Sequence, residues 1–321
     1  MTPPAGTAVR VRVPASTANL GPGFDSVGLA LGVWDDYEFE VTSRAGLVIE
    51  VEGEGAAEVP RDASHLVHRA MVSGFAQLGL PSPEHLRLIA RGAIPHSRGL
   101  GSSASAIVAG VAAAHGLSAL AGGPFASDHP VEIDRCLVND LASELEGHPD
   151  NASASVFGGL TVSWTIDPGE ERAGRTGTAR IAVHEALRVV VFVPTTTLAT
   201  HTARAVLPAT VTHHEAAQNA ARAALLVEAV TRQPDLLHAA TRDWLHQEPR
   251  RGSFPATMDL VDRLRSEGHA AVVSGAGPSV LVLTTTDVED SVVLPTELRD
   301  SPTWQRLTPG IPTSGVTVVA R

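Results

Sequence analysis

Between a candidate strand and an Ala-rich segment the chain reads Pro95-His96-Ser97-Arg98-Gly99-Leu100-Gly101-Ser102-Ser103-Ala104. Gly99 and Gly101 remove side chains, so backbone N–H groups can approach an anion, and a following helix presents unpaired amides and its positive dipole end. Ser102 and Ser103 bring hydroxyls able to cap that helix, touch phosphate or ligate Mg2+. A Gly-Ser turn before a helix also serves as a plain capped terminus, so the run alone leaves both readings open. Gly99, Gly101 and Ala104 fit G-x-G-x-x-A as well, the dinucleotide fingerprint of an oxidoreductase. That fingerprint wants an acidic residue about 20 positions on, at the end of a second strand. Asp128 instead follows Gly122-Gly123-Pro124 in a predicted loop.

Other chemically able residues gather in three places. Ser143-Glu144-Leu145-Glu146-Gly147-His148-Pro149-Asp150-Asn151 offers carboxylates and an imidazole, although such a run standing alone is a solvated acidic helix end. Thr200 and Arg204 lie four apart, one helical turn, so their side chains can converge. Glu248-Pro249-Arg250-Arg251 adds two guanidinium groups, the side chain best suited to gripping a carboxylate at two points. The pairs His65 with His68 and His213 with His214 complete no metal-ligand spacing and are read as structural or surface residues. Ser105 stands where the last Gly of G-x-S-x-G belongs, which disfavours a serine hydrolase.

Composition narrows the field. The 24 basic residues are outweighed by 35 acidic ones, a net charge of −11 that argues against nucleic acid as a partner. Every basic residue is Arg. Without Lys the chain cannot build a Walker A loop, a protein-kinase site or a pyridoxal phosphate Schiff base. Cys136 is the only cysteine, so no intrachain disulfide or Cys-based zinc site forms and a reducing compartment is expected. The start, MTPPAG, does not look like a signal peptide, and residues 104–114 are short of a membrane span, so a buried helix and no membrane partner are expected.

The elements that must position these residues follow from period and punctuation. Alternation predicts strands over 8–13, 38–41 and 47–51, and a helix over 64–78 stopped by Gly79 and Pro81. A strand over 86–90 precedes the Gly-Ser turn, and helices follow over 102–122 and 133–145. Residues 159–164 read as a strand and 167–180 as a solvated loop, a plausible boundary. Beyond it come strands over 188–193, 270–274, 280–283 and 316–320 and helices over 215–230 and 258–265, a mixed α+β architecture with two lobes.

The pattern P-x-x-x-G-L-x-S-S-A at residues 95–104 is similar to the phosphate-binding motif of the GHMP kinases, the superfamily of galactokinase, homoserine kinase, mevalonate kinase and phosphomevalonate kinase. Val13-Pro14-Ala15-Ser16-Thr17-Ala18-Asn19-Leu20-Gly21-Pro22-Gly23-Phe24-Asp25 resembles the first motif of those enzymes, and Ser274-Gly275-Ala276-Gly277-Pro278-Ser279 the third. Mevalonate-type members carry a Lys shortly after the first-motif Pro and a later Asp that can act as base. Here Ser16 and Asn151 stand near those places. Asn19, Asp25 and a Glu followed by H-x-D-N resemble the homoserine kinase family instead.

The resemblance implies an α+β, two-lobed GHMP kinase fold: a ribosomal protein S5 domain 2-like, ATP-binding lobe over 7–165 and a ferredoxin-like lobe over 166–321. It implies ATP and Mg2+ as cofactors and phosphorylation of the side-chain hydroxyl of L-homoserine, in threonine biosynthesis, by a cytoplasmic homodimer. Threonine or shikimate as acceptor is the alternative. By the same resemblance ATP meets Pro95, Ser97, Arg98, Gly99, Leu100, Gly101, Ser102, Ser103 and Ala104, with His65 where the family commonly has Asn near the adenine. Mg2+ falls to Glu144, with Glu146 as the second register, and to Ser102 or Ser103. Arg204 and Arg251, with Thr200, take the substrate carboxylate, and Asn19 and Asp25 its amino group. Glu144, His148 and Asn151 form the catalytic set, a mechanism without a general base.

Overall fold

The structure, a computed structural model, describes residues 2–123, 126–171, 175–299 and 303–321. It begins with β1 (Ala8–Asn19) and β2 (Gly23–Val41), an antiparallel pair in register from Ala8↔Glu40. Val9, Val11 and Val13 are fully buried, while Arg10 and Arg12 point outward and share Asp36. The pairing slips at Pro14/Ala15 and again at Ala18/Asn19, where Pro14 lacks the N–H a regular ladder needs. Both strands extend well beyond the predicted 8–13 and 38–41. Their other halves are rich in Ser, Gly and Ala, which carry no alternating apolar signal yet are buried.

β3 (Leu47–Gly53), α1 (Leu66–Gln77) and β4 (Leu86–Gly92) form a parallel crossover unit, and β4 also pairs with β2. α2 (Ser102–Ala119) follows, then α3 (Arg135–Glu146), capped by the Asp134 carboxylate, α4 (Pro149–Phe157) and β5 (Leu160–Thr165). By length and composition α2 could cross a membrane, but it runs through the first core with Ala, Val and Gly on all sides buried. A helix apolar all round is stable in water only when enclosed. Gly110 lets it approach α1, for a Cβ there would come within 2.3 Å of the Val67 carbonyl oxygen.

One expectation is corrected here. Residues 167–180 are not all loop, because β6 (Thr176–Ile181) pairs with β5 from Leu160↔Ile181 to Thr165↔Thr176. Hydroxyl contacts make it a strand where apolar periodicity is absent: Thr178 Oγ1 meets Asn139, Ser153 and Ser163. The sheet therefore runs β11-β1-β2-β4-β3, with β5 on β2 and β6 on β5 and β11 (Thr317–Ala320) against β1. The chain thus returns to its first sheet at its end.

Between these segments lies a second sheet, β10-β7-β9-β8, built from β7 (Leu187–Pro194), β8 (Ala270–Val273), β9 (Val280–Thr285) and β10 (Trp304–Leu307). The expected 270–274/280–283 hairpin is its β8–β9 pair. α5 (Thr200–Ala205) and α6 (His213–Thr231), the latter opened by a capping box of Thr212 and Glu215, stand in the same half. One buried cluster joins the two halves, combining Ala15, Leu29 and Leu100 with Val189, Val272 and Leu281. The two halves thereby share one packed core.

Candidate active site

The loop between β4 and α2 takes three left-handed residues in alternation: Ser97 at φ 54°, Gly99 at φ 74° and Gly101 at φ 71°. Alternation of this kind turns successive N–H groups to one side and forms an anion nest. No side chain caps α2, so its first amides are left for a ligand. Three distant segments clamp the loop. Ser16 N donates to Leu100 O at 3.1 Å, Ser274 Oγ donates to Gly99 O at 2.7 Å, and Leu100 is buried in the shared core. A Cβ on Gly99 would stand 2.2 Å from the Ser274 carbonyl oxygen. Gly99→Ala is therefore expected to raise KM for ATP at least about 10-fold and to lower Tm, since the left-handed backbone alone costs about 1–2 kcal/mol. An unchanged melt and unchanged ATP kinetics would contradict the clamp.

Among the residues expected to bind nucleotide, Ser97, Gly99, Gly101, Ser102 and Ser103 line one cleft. Pro95, Leu100 and Ala104 shape the turn from outside that lining. Arg98 requires correction: Nε donates to Pro194 O at 2.9 Å, Nη1 to His96 O and Nη2 to Thr195 O. Its guanidinium fastens the loop to the end of β7 and is not directed at phosphate. His65 is buried and lines the adjoining, more apolar pocket with Tyr37, Val51, Val67 and Ala106. Its Nδ1 is buried with no hydrogen-bond partner among the described residues, and burial lowers the pKa of the ring. The two pockets meet at Ser97, Ser102 and Ser103. An apolar recess joined to an amide nest fits a nucleoside triphosphate.

The acidic corner shows a change of register. Glu144 is exposed and lines a separate depression with Gln77 and Arg175, so it does not reach the nest. Glu146 does, accepting a hydrogen bond from Ser103 Oγ at 2.9 Å. Two helical positions apart means about 200° around the axis, so one of the pair faces the cleft and the other cannot. Glu146 ends α3, the point nearest the loop. Burial raises its pKa against the opposing pull of His148 and Ser103. A desolvated carboxylate beside a hydroxyl is a hard-oxygen donor set suited to Mg2+ held partly by phosphate oxygens. Ser102 lines the cleft without that contact.

His148 Nδ1 lies 3.0 Å from Asp150 Oδ1. Burial alone would lower the pKa of His148, but Asp150 and Glu146 together raise it. Asn151, one residue into the same turn of α4, accepts from Ser16 Oγ at 3.0 Å and lines the cleft beside His148. Asp150 Oδ1 is engaged by His148 and by the Asn151 N–H.

Across the cleft Arg204 pairs with Asp25 through two bonds, 2.5 Å and 3.1 Å, and Asn19 Oδ1 accepts from Asp25 N. Thr200 opens α5, and its side chain lies outside the described residues. Arg251 is corrected. It is bound to Glu248 at 2.7 Å and Asp262 at 2.9 Å on the outer surface. Arg250 enters the cleft instead, 1% exposed, and its pKa is lowered to about 10 by burial and by neighbouring Arg204. A signal for it existed in the sequence: Glu248 stands three residues before Arg251 as a ready local partner. Arg204 and Arg250 both line the cleft with Asn19, next to the left-handed loop and the Ser103–Glu146 pair. Such an arrangement defines a kinase for a small anionic or zwitterionic alcohol.

Comparison with known proteins bears on the same point. The family model described as GHMP kinases N terminal domain matches residues 65–159, and that described as GHMP kinases C terminal matches residues 212–294. A homoserine kinase of Streptomyces coelicolor is 46% identical over 97% of this chain and 94% of its own length. One from Rhodococcus opacus is 49% identical over 88% of this chain and 89% of its own. The crystal structure of homoserine kinase from Cytophaga hutchinsonii superposes with a TM-score of 0.77 at 21% identity, covering 97% of both chains. Phosphomevalonate kinase from Streptococcus pneumoniae shares the fold, with a TM-score of 0.64 at 13% identity over 95% of this chain and 100% of that one. The chain belongs to the GHMP kinases and, among them, to the homoserine kinase family.

Proposed function

We propose that this chain transfers the γ-phosphoryl group of ATP to the side-chain hydroxyl of L-homoserine, giving O-phospho-L-homoserine and ADP. The hydroxyl oxygen forms the new bond to phosphorus, the bond from phosphorus to the β,γ-bridging oxygen breaks, and the hydroxyl proton is released. The observation that carries the reading is the convergence, around one cleft, of an uncapped helix start, the Ser103–Glu146 pair and the two guanidinium groups of Arg204 and Arg250.

Phosphoryl transfer through a loose transition state needs positioning and charge neutralisation more than a strong base. Mg2+, when bound, neutralises the triphosphate, and Glu146 with Ser103 would hold it. The nest amides of Gly99 to Ser103 hold phosphate oxygens. Arg204 and Arg250 orient the substrate through its carboxylate, while Asn19 and Asp25 accept its ammonium group. His148 and Asn151 stand where the reacting hydroxyl comes to rest. Asp150 is tied up orienting both, so no free base is assigned.

A coupled ADP-release assay across L-homoserine, L-threonine and shikimate tests the acceptor. Turnover is expected with homoserine, and equal kcat/KM for another alcohol would move the reading to that substrate. For the base-free route, Asn151→Ala is expected to lower kcat about 10-fold to 10²-fold. Intact turnover there, with activity abolished by Asp150→Asn in a folded protein, would reverse the assignment. Assembly as a homodimer in the cytoplasm belongs to the same proposal, its first half checked by sedimentation.

A further inference from the structure

We infer that His246 is a positioning residue for carboxylate recognition: held as one neutral tautomer, it sets the guanidinium of Arg250 in the cleft. The inference rests on the reading of Arg250 as the substrate's carboxylate ligand. His246 is completely buried, with Nε2 2.8 Å from Gly21 O and Nδ1 3.1 Å from Arg250 Nη1. A carbonyl can only accept and a guanidinium can only donate. Both contacts are satisfied together by a single form of the ring, with the proton on Nε2 directed at Gly21 and a bare Nδ1 accepting from Arg250. An imidazolium would turn N–H against N–H.

The surroundings favour that form. Burial and the charge of Arg250 hold the imidazole below its usual pKa, against the opposing pull of Asp243 and Asp25. The Asp243 carboxylate is occupied with the backbone N–H groups of Leu245, His246 and Gln247, and its Oδ1 stands 3.6 Å from Nε2, farther than a hydrogen bond. Phe24 stacks on the ring at 5.1 Å between centroids and lies under the guanidinium groups of both Arg204 and Arg250. Arg250 Nε donates to Ala203 O at 2.9 Å, in the helix that carries Arg204. Two of its N–H vectors are thus fixed by groups that never touch substrate. A buried guanidinium needs such acceptors, and choosing an imidazole to supply one aims the remaining edge at the cleft.

The test compares His246→Gln and His246→Asn with Arg250→Ala in ATP and homoserine kinetics. The Asn amide oxygen falls near the position of Nδ1 and can still accept from Arg250, whereas the Gln amide falls near Nε2 and serves Gly21 alone. His246→Gln is expected to raise KM for homoserine roughly 10-fold or more, the effect of losing one bond to a charged group, with KM for ATP within about 2-fold. His246→Asn should recover most of that loss. Equal changes in both KM values, or no difference between Asn and Gln, would overturn the inference and leave His246 a packing residue. If Arg250→Ala itself leaves KM for homoserine unmoved, the reading of Arg250 fails and takes this one with it. Nitrogen-15 NMR of the wild-type protein gives an answer without any variant: the Nε2–H tautomer is expected, and an Nδ1–H ring would refute the proposal.

Discussion

Glu146→Gln is expected to lower kcat by at least about 10²-fold, the size of losing one preorganised charge-stabilising group, while Glu144→Gln stays within about 2-fold of the parent. The two residues are nearly adjacent, so the contrast isolates register from local charge. Glu146 is the carboxylate that receives the Ser103 hydroxyl at the start of α2, and Glu144 is exposed on another face. A Mg2+ titration at fixed ATP reads the effect, and Glu146→Gln should need far more Mg2+ to reach its residual maximum. The sign of the pH dependence follows from burial, which raises the pKa of Glu146. A metal and a proton compete for the same oxygens, so apparent Mg2+ affinity should fall as pH drops toward that raised value and level off above it. Equal losses in both variants, or a pH-independent Mg2+ midpoint, would remove Glu146 from the metal site.

The second large effect concerns the two neighbouring arginines. Arg250→Ala is expected to raise KM for homoserine by about 10²-fold or more, since truncating one partner of a buried charge pair costs on the order of 2–5 kcal/mol. Arg251→Ala should change it less than about 3-fold, because an exposed ion pair with Glu248 and Asp262 contributes little. KM for ATP should be nearly the same in both variants. The pKa of Arg250 is lowered to about 10 by burial and by the neighbouring charge of Arg204. An anionic substrate relieves that repulsion. Homoserine amide, which lacks the carboxylate, should therefore be a poor substrate for the parent and lose little further in Arg250→Ala. A large additional loss with the amide would contradict the carboxylate assignment.

Several features are legible in the residues themselves. Ala-rich residues 104–114 predicted a buried helix, and Gly99, Gly101 and the two serines predicted where its unpaired amides open. The absence of Lys and the scarcity of Cys excluded whole classes of chemistry. These are properties of residue type and local spacing, which the linear chain expresses directly. The strand β6 escaped such a reading because it is held by pairing with β5 and by polar side-chain contacts to Thr178 from α3 and α4, not by its own apolar period.

What the sequence determined by itself is the Gly-Ser turn ahead of a helix, the long core helix and the kinds of side chain available to the reaction. What only the tertiary structure decided is which member of each close pair reaches the cleft: Glu146 and not Glu144, Arg250 and not Arg251, with the Arg98 guanidinium held by backbone carbonyls. The physical reason is rotational. Neighbouring residues differ by a fixed angle around a helix or turn, so one faces the cleft and the next faces water, and the zero of that angle is set by contacts with segments far away in the chain. The backbone of Leu100 against Ser16, and His246 against Gly21, are two such contacts.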